Sequence, residues 1–389
     1  MVSSFSPGDV EIDEWILSGA GGGVDVSRRL IEFSIFENIK NPYTILNAKL
    51  MDVSDIINTG LTGGETVSLS FHQPGQKPYS GTFAVTQLSD SAKLDNQRVQ
   101  LYNITGYSPH MNNLPIITKS FKNVTGTNAI STLVGQWGVA KPFKVGLEAT
   151  NMLGTDKHPY IVPGLQIMHA IKAIMSRTQG DTSSAWVLFE NQYNLILDTI
   201  EHLRSTATPE FTYIQRPLGS NFIQDQVTQQ LTIIEYKEDT RYNVTNTIQS
   251  KNQTVQTFDR HTLQYLTKAV QGMGFGGGGG GGASMFRHFI PQNSNAPPTG
   301  AEKFMPQRKS MAGILDSQSI TIMVALNTFL TVGLGCAVDI LRPAGDTDSV
   351  ALDNISGSGL MTELRHRVHL RGEKMQGTTT TKILKAGVE

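Results

Sequence analysis

The sequence is almost without cysteine, since Cys336 is the single one among 389 residues. One thiol cannot form a disulfide within the chain, and it cannot build a thiolate metal cluster. Because Cys336 lies inside an apolar run, we expect a buried small side chain rather than a reactive nucleophile.

Charge is also scarce. Charged residues make up 17% of the chain, and 32 basic against 33 acidic residues leave a formal net charge of −1. No basic excess is present to attract nucleic acid or an anionic membrane surface, and no nucleic-acid-binding motif is found. Hydrophobic residues reach 39%, enough for real cores. A charge-poor surface favours a chain that assembles with others over a solitary, highly soluble monomer.

Membrane and secretion signals are missing as well. The first residues, MVSSFSPGDVEIDEW, have neither a basic start nor an apolar core, so we expect no secretion signal. The apolar stretch 320–341, ITIMVALNTFLTVGLGCAVDIL, is long enough to span a bilayer. Its even positions are apolar except Thr328, however, and a period of two indicates strands. We predict two strands joined by a turn, and no membrane segment.

What is present is a pattern of short strands interrupted by one helical section. The fold class is therefore predicted to be α+β and mainly β. We divide the chain into a β-rich part (1–115), an α+β part (116–205), a second β part (206–245), a polar, glycine-rich insertion (246–312) and closing strands (313–389). Two helices are predicted in the α+β part: residues 125–137 with Thr127 as N-cap, and residues 162–178 opened by Pro163.

Seven consecutive glycines, Gly276 to Gly282, lie in the insertion. They lack the Gly-Lys-Ser/Thr ending of a phosphate loop, and no clear strand and helix flank them as in a dinucleotide site. Ordering seven glycines would cost on the order of 10 kcal/mol without side chains to bury in return. The run is predicted to be a flexible connection and not a catalytic loop.

Two histidines near the end, His366 and His369, are candidate metal ligands, with Glu363 nearby. The alternation of residues 363–371 favours a strand, on which an offset of three places the two rings on opposite faces. We therefore expect a structural or interface role, with no metal and no cofactor.

No other candidate chemistry forms a recognisable frame. His110 and His158 lie in expected loops without acid–base partners, and the acidic residues Glu37, Asp52 and Asp55 are expected to be solvated. There is no G-x-S-x-G or HExxH motif. We predict no catalytic residues and no enzymatic activity.

Several segments, in order, resemble one protein family. They are LNAKLMDVSDIINTGLTGGETVSLSF (46–71), the stretch 162–203 beginning VPGLQIMHAIKAIMSRT, and LNTFLTVGLGCAVDILRP (326–343) followed by 356–387. These segments are similar to the hub proteins of contractile phage tails, of the T4 type, and to the matching part of type VI secretion spikes. The glycine run is not a hallmark of that family, and the OB-fold and β-helix of a spike are missing.

The resemblance implies two tail-tube-like antiparallel β-barrels, the second split by the insertion, with the α+β domain between them. It implies a homotrimer that joins the sixfold tail tube to the threefold spike around a central channel. The expected partners are the tail spike protein, the tail tube or tube-initiator protein, the tape measure protein and the surrounding baseplate proteins. The expected location is the tail baseplate of a virion, assembled in the host cytoplasm.

Two alternatives stay open. One is a cell-wall hydrolase or glycan-binding tail component, whose metal would bind through His366 or His369. The other is the hub part of a type VI-like secretion spike, which the sequence separates poorly from a phage hub. The missing spike domain favours the phage hub.

Overall fold

The structure of the chain is a computed structural model. It describes residues 8–19, 22–52, 64–93, 100–122, 124–147, 160–178, 186–206, 208–215, 224–225, 229–240, 252–259, 265–271, 288–292, 318–340 and 356–385. The glycine run Gly276 to Gly282 lies outside these residues, so the prediction made for it stays a prediction.

The first part of the chain is an antiparallel sheet of short strands. Its strands are β1 (Glu11–Gly19), β2 (Gly22–Asp25), β3 (Leu30–Asn38), β4 (Ile45–Asp52), β5 (Thr66–His72), β6 (Tyr79–Lys93) and β7 (Gln100–Tyr107). They pair in the order β3-β4-β7-β6-β5-β1-β2. These strands form because apolar and polar side chains alternate along the sequence. In β5, for example, Val67, Leu69 and Phe71 are buried, and the residues between them are half-buried.

The sheet curls around an aromatic core. Trp15, Phe33 and Phe71 are fully buried, and the ring of Phe33 lies 4.7 Å from that of Trp15 and 5.0 Å from that of Phe71. Tilted and edge-to-face contacts of this kind are the favoured geometry of packed aromatic rings. We call strands β1 to β7 the first half of the sheet.

The α+β unit follows. It contains β8 (Ile116–Phe121), α1 (Gly126–Trp137), β9 (Phe143–Val145), β10 (Tyr160–Gln166), α2 (Ile167–Arg177), β11 (Trp186–Glu190), β12 (Leu195–Thr199) and α3 (Ile200–Thr206). Strand β8 pairs with β10, and β12 pairs with β11 and β9. The helices α1 and α2 bury an apolar stripe that includes Ile130, Leu133 and Ile171, which forms a separate core.

Both helix starts differ from the sequence-based prediction. Helix α1 has its N-cap two residues earlier, because the hydroxyl of Thr125, and not that of Thr127, accepts a hydrogen bond from the Asn128 amide at 3.3 Å. Helix α2 begins at Ile167 rather than at Pro163, because the preceding residues pair with β8. Gly164 has a φ of +63° at an irregularity in that strand, a conformation that no helical first turn contains.

The remaining strands form the second half of the sheet and the insertion. They are β13 (Pro209–Ile214), β14 (Gln224–Asp225), β15 (Gln230–Thr232), β16 (Glu235–Thr240), β17 (Asn252–Asp259), β18 (Tyr265–Gln271), β19 (His288–Gln292), β20 (Gln318–Ala325), β21 (Gly335–Asp339), β22 (Gly357–Arg371) and β23 (Lys374–Lys385). Strands β17, β18 and β19 form a three-stranded sheet of their own. The predicted pair of strands in 320–341 is confirmed by β20 and β21.

The second half of the sheet begins and ends with strands that are neighbours in the sequence. Its strands pair in the order β15-β13-β21-β22-β23-β20-β16. Strands β15 and β16, at the two ends of this order, are separated by two residues only. The Ile233 amide donates to the carbonyl of Ile214 in β13, and the Ile234 amide donates to the carbonyl of Met323 in β20. The enclosed core includes Tyr213, Ile322 and Cys336, all fully buried.

One ladder joins the two halves. Residues Glu32 to Asn38 of β3 pair antiparallel with Glu363 to His369 of β22, and we call this ladder the seam. The fold is therefore mainly β, a long curled sheet with a small α+β unit beside it. No helix among the described residues is long and apolar enough to cross a membrane.

Candidate functional site

The two histidines weighed as metal ligands lie on opposite faces of β22, as predicted. His366 is fully buried, its Nδ1 lies 3.0 Å from the Thr379 hydroxyl, and its ring contacts those of Phe71 and Tyr79. Burial lowers the pKa of His366 to about 4. His369 is half-buried on the other face. Within the part of the chain that the structure describes, no group of three or more histidine, cysteine or acidic residues could hold a metal ion.

The prediction that the acidic residues are solvated is wrong for Glu37 and Asp52. Both are almost completely buried. The Arg29 guanidinium donates to Asp52 at 2.6 Å, which is how a buried carboxylate is accommodated. The remaining acidic residue of that group, Asp55, lies outside the described residues.

The prediction for His110 is wrong too. This side chain is buried, its Nε2 lies 2.8 Å from the Pro42 carbonyl oxygen, and Glu190 Oε2 lies 3.5 Å from the same nitrogen. Burial lowers the pKa of His110, against the opposing effect of Glu190. His158 lies outside the described residues.

Glu37, His110 and Glu190 belong to one buried polar cluster where the α+β unit meets both halves of the sheet. We call this cluster the polar junction, and its members are Glu37, Thr44, Ser108, His110, Lys141, Glu190, Asn191, Gln192, Thr331 and Val332.

Glu190 is the carboxylate with the most donors. It ends strand β11, and its Oε1 lies 2.6 Å from Lys141 Nζ and accepts from the Ser108 hydroxyl at 2.9 Å. The Thr44 hydroxyl is more distant at 3.4 Å. Lys141 also donates to the Asn191 carbonyl at 2.7 Å. The lysine thus joins the carboxylate to the turn that follows it, a short, charge-assisted arrangement.

Glu37 is bound from the other side. Its Oε2 accepts from the Thr331 hydroxyl at 2.5 Å and from the Val332 amide at 3.1 Å. Burial raises the pKa of Glu37 to about 7, outweighing the lowering effects of Thr331, Lys141 and the Val332 amide. Glu190 adds to the increase.

Two turns hold these groups in place. In the β11–β12 turn, the Asn191 side-chain oxygen accepts from the Tyr193 and Asn194 amides at 3.0 and 2.8 Å. The turn 326–334 contains Gly333, whose φ of +88° and whose contact with the Phe189 ring leave no room for a side chain. The Gln192 amide donates to the Thr331 hydroxyl at 3.3 Å, which connects the two turns.

A cleft of about 550 Å³ lies beside the polar junction. Its apolar lining includes Ile196, Phe211 and Phe329, and Lys144 and Glu210 stand among its polar lining residues. A cleft of this size is comparable to small-ligand sites.

The outer face of the seam is polar. The Arg367 guanidinium donates to Glu32 at 2.7 Å, and Arg365 donates to the Ser34 hydroxyl and lies over the Phe36 ring at 5.0 Å. A groove of about 470 Å³ crosses this face. The arrangement places hydrogen-bonding groups of both charges along this surface.

The fold is that of tail proteins of bacteriophages. The chain aligns over 96% of its length with the crystal structure of a tail protein from Neisseria meningitidis MC58, at a TM-score of 0.59 and 12% identity, and covers 97% of that chain. The same TM-score and identity relate it to the 43 kDa tail protein of prophage MuSo2 from Shewanella oneidensis, of which it covers 98%. The resemblance to phage tail proteins is therefore confirmed as a likeness of fold.

A chain of the Francisella PdpA-VgrG complex is also similar, at a TM-score of 0.50 and 8% identity. All of this chain aligns, but it covers 54% of that longer chain. No protein-family model and no curated protein sequence matches.

The sequence pattern does not predict the polar junction, because its members are far apart in sequence. Thr331 and Glu37 are separated by 294 positions. One signal was available: in β3 the period of two that buries Phe33 and Ile35 continues to position 37, so Glu37 falls on the apolar face.

Proposed function

We propose that this protein is a structural hub of a contractile phage tail: a homotrimer that joins the sixfold tail tube to the threefold spike around a central channel. The observation that carries the proposal is the doubled sheet, whose two halves each enclose a core and meet at the seam. Each half corresponds, in this proposal, to one tail-tube-like barrel.

The symmetry argument is geometric. Three copies of a chain with two equivalent halves offer six similar positions to a sixfold tube, while the trimer itself matches a threefold spike. The α+β unit, residues 116–205 by the sequence-based division, sits between the halves and braces them through the polar junction. The insertion 246–312 interrupts the second barrel.

The partners follow from that position. The spike protein binds below, the tail tube or tube-initiator protein binds above, the tape measure protein enters the channel, and baseplate proteins surround the ring. The protein then belongs to the tail baseplate of the virion and assembles in the host cytoplasm.

We also propose that the role is not enzymatic. Burial raises the pKa of Cys336 to about 12, which disfavours a reactive thiolate, and His366 is fully buried against Thr379 and aromatic rings. The hydrolase alternative would require purified protein to release cell-wall fragments, and loss of that release when His366 and His369 are both replaced by alanine. A glycan-binding component would bind cell-wall glycan without releasing fragments.

The test is the mass and symmetry of the assembly. Light scattering of the purified chain should give about 127 kDa, three times the 42.4 kDa chain, if the trimer forms without partners. Electron microscopy of the trimer with its spike should show six sheet halves around one channel. A monomer in both experiments, or a ring with three such halves, would contradict the proposal.

A second candidate is the hub section of a secretion spike, which the likeness to the PdpA-VgrG complex favours. The two candidates differ in their partners. Assembly onto a phage tail tube supports the first, and assembly onto the tube of a secretion system supports the second.

A further inference from the structure

The polar junction contains two carboxylates and one lysine. Glu190 forms a close ion pair with Lys141, at 2.6 Å. Glu37 has no ion-pair partner within 4 Å among the described residues, although Lys141 acts on it electrostatically at longer range. The junction thus has one carboxylate with its cation and a second carboxylate without one.

Only one of the two carboxylate oxygens of Glu37 accepts hydrogen bonds from the described residues. Its Oε2 accepts from Thr331 and Val332, while Oε1 is buried without a hydrogen-bond partner in the described part of the chain. A buried carboxylate oxygen without a donor is costly when the group is ionised. This geometry favours the protonated, neutral acid.

The other groups facing Glu37 do not compensate its charge. Glu190 repels it, and Lys141 already contacts Glu190. Tyr79 and Tyr193 come from the other packed elements, and burial raises the pKa of each above its ordinary value, so both stay neutral near pH 7. Ionisation of Glu37 therefore adds one uncompensated negative charge to a buried site.

We propose that the polar junction is a proton-linked joint, in which loss of the Glu37 proton weakens the contact between the turn 326–334 and the β11–β12 hairpin. The contact is direct, because Thr331 bridges Glu37 and the Gln192 amide, and the Asn191 side chain donates to the Val332 carbonyl at 3.5 Å. The joint is one of the contacts between the α+β unit and the sheet, beside the apolar packing of Phe189 in the core of the second half, so its loosening weakens that connection locally.

The direction with pH follows from linkage. The folded pKa of Glu37, about 7, is above its ordinary value of 4.5, so the closed joint binds the proton more tightly than the open one. The stability that protonated Glu37 contributes to the closed joint is fully present below pH 4.5, and it falls as the pH rises towards 7. Between pH 5.5 and 7.5 the opening equilibrium should increase roughly 20-fold from this group.

Hydrogen exchange measured by mass spectrometry on the full-length protein tests the joint. After correction for intrinsic exchange rates, protection of peptides covering 186–199 and 326–334 should fall roughly 20-fold from pH 5.5 to 7.5. Protection of a peptide covering α1 should not change. In Glu37→Gln, which has no titrating group here, the fall should vanish. In that variant His110, whose pKa is lowered, can only make protection increase with pH, which is the opposite of the effect of Glu37.

Two further variants separate titration from simple structural damage. Glu32→Gln lies on the same strand but faces outward to Arg367, and it should keep the full pH dependence. Thr331→Val removes a donor that lowers the pKa of Glu37, so the fall should extend to higher pH. An equal loss of protection at every pH in Thr331→Val, or protection in the unmutated protein that does not depend on pH, would overturn the proposal.

Discussion

The seam and the polar junction join parts of this molecule in different ways. At the seam, β3 and β22 are connected by a ladder of backbone hydrogen bonds, with apolar partners such as Phe33 and Val368 facing each other on the inner side. At the polar junction the α+β unit is held through individual side chains, above all Glu37, Lys141 and Glu190.

The difference determines how each connection fails. A backbone ladder tolerates changes of outward-facing side chains and depends on register and core packing. A buried polar cluster depends on each member, because removing one partner leaves the others desolvated and unsatisfied. The seam should therefore behave as a permanent connection and the junction as one that can be switched.

The largest effect is expected at the junction, from Lys141→Met. The substitution removes the cation of the pair and leaves Glu190 buried without it, beside Glu37. Breaking a buried ion pair on one side costs about 3–5 kcal/mol, and the partial exposure of Lys141 places the expected loss near the lower value, about 3 kcal/mol. Denaturant unfolding followed by fluorescence measures it.

Lys144→Met is the matched control, because Lys144 is exposed on nearby β9 and forms no ion pair within the described residues. Its free energy of unfolding should change by less than about 0.5 kcal/mol. Equal losses in both variants would show that Glu190 does not depend on its lysine.

A smaller effect is expected beside the seam, from Gly377→Ala on β23. A methyl group there would lie 2.8 Å from Val10 and 2.9 Å from Leu326, both in the core of the first half. Overpacking of this kind costs about 1–3 kcal/mol. Gly135→Ala is the control, since nothing lies within 4 Å of that position in α1, and alanine there should stabilise by about 0.5–1 kcal/mol. A neutral Gly377→Ala would mean that the two elements separate easily at this point.

Much of the sheet could be predicted because period-two patterns are local. The alternation within 320–341 and 357–371 predicts strands β20, β21 and β22 without knowledge of their partners. The start of α2 could not be predicted in this way, because Pro163 is equally suited to a helix start and to an irregular edge strand. Pairing with β8 decides between them.

The polar junction could not be predicted from local pattern because tertiary contact creates it. Glu37, Glu190 and Thr331 come from three separate parts of the chain, and only the folded sheet brings them together. The inward phase of Glu37 on β3 predicts burial, but nothing in the sequence identifies Thr331 as its donor. The division into two barrels stays a proposal for a similar reason, since the closure of a sheet depends on long-range pairing.

The smallest expected effect is a difference between the two regions in how their contribution to the free energy of unfolding changes with pH. His366, at the seam, has a folded pKa of about 4, below its ordinary value of 6.5, so its contribution to stability is present above pH 6.5 and is lost as the pH falls. Between pH 6.5 and 5.5 this loss amounts to about 1 kcal/mol. Glu37 has the opposite sign in the same window, since its folded pKa is raised.

The two contributions oppose each other in the unmutated protein, so the free energy of unfolding measured with denaturant should fall less between pH 6.5 and pH 5.5 than it does in Glu37→Gln. In Glu37→Gln the opposing carboxyl is gone, and stability should fall by about 1 kcal/mol or more on acidification, because His110, whose pKa is also lowered by burial, acts in the same direction as His366. Adding His366→Gln should remove about 1 kcal/mol of that fall, whereas adding His169→Gln on the exposed side of α2 should leave the fall unchanged. If Glu37→Gln showed no fall, the buried histidine would not control the acid response of the seam, and the two regions would not differ in the sign of their proton linkage.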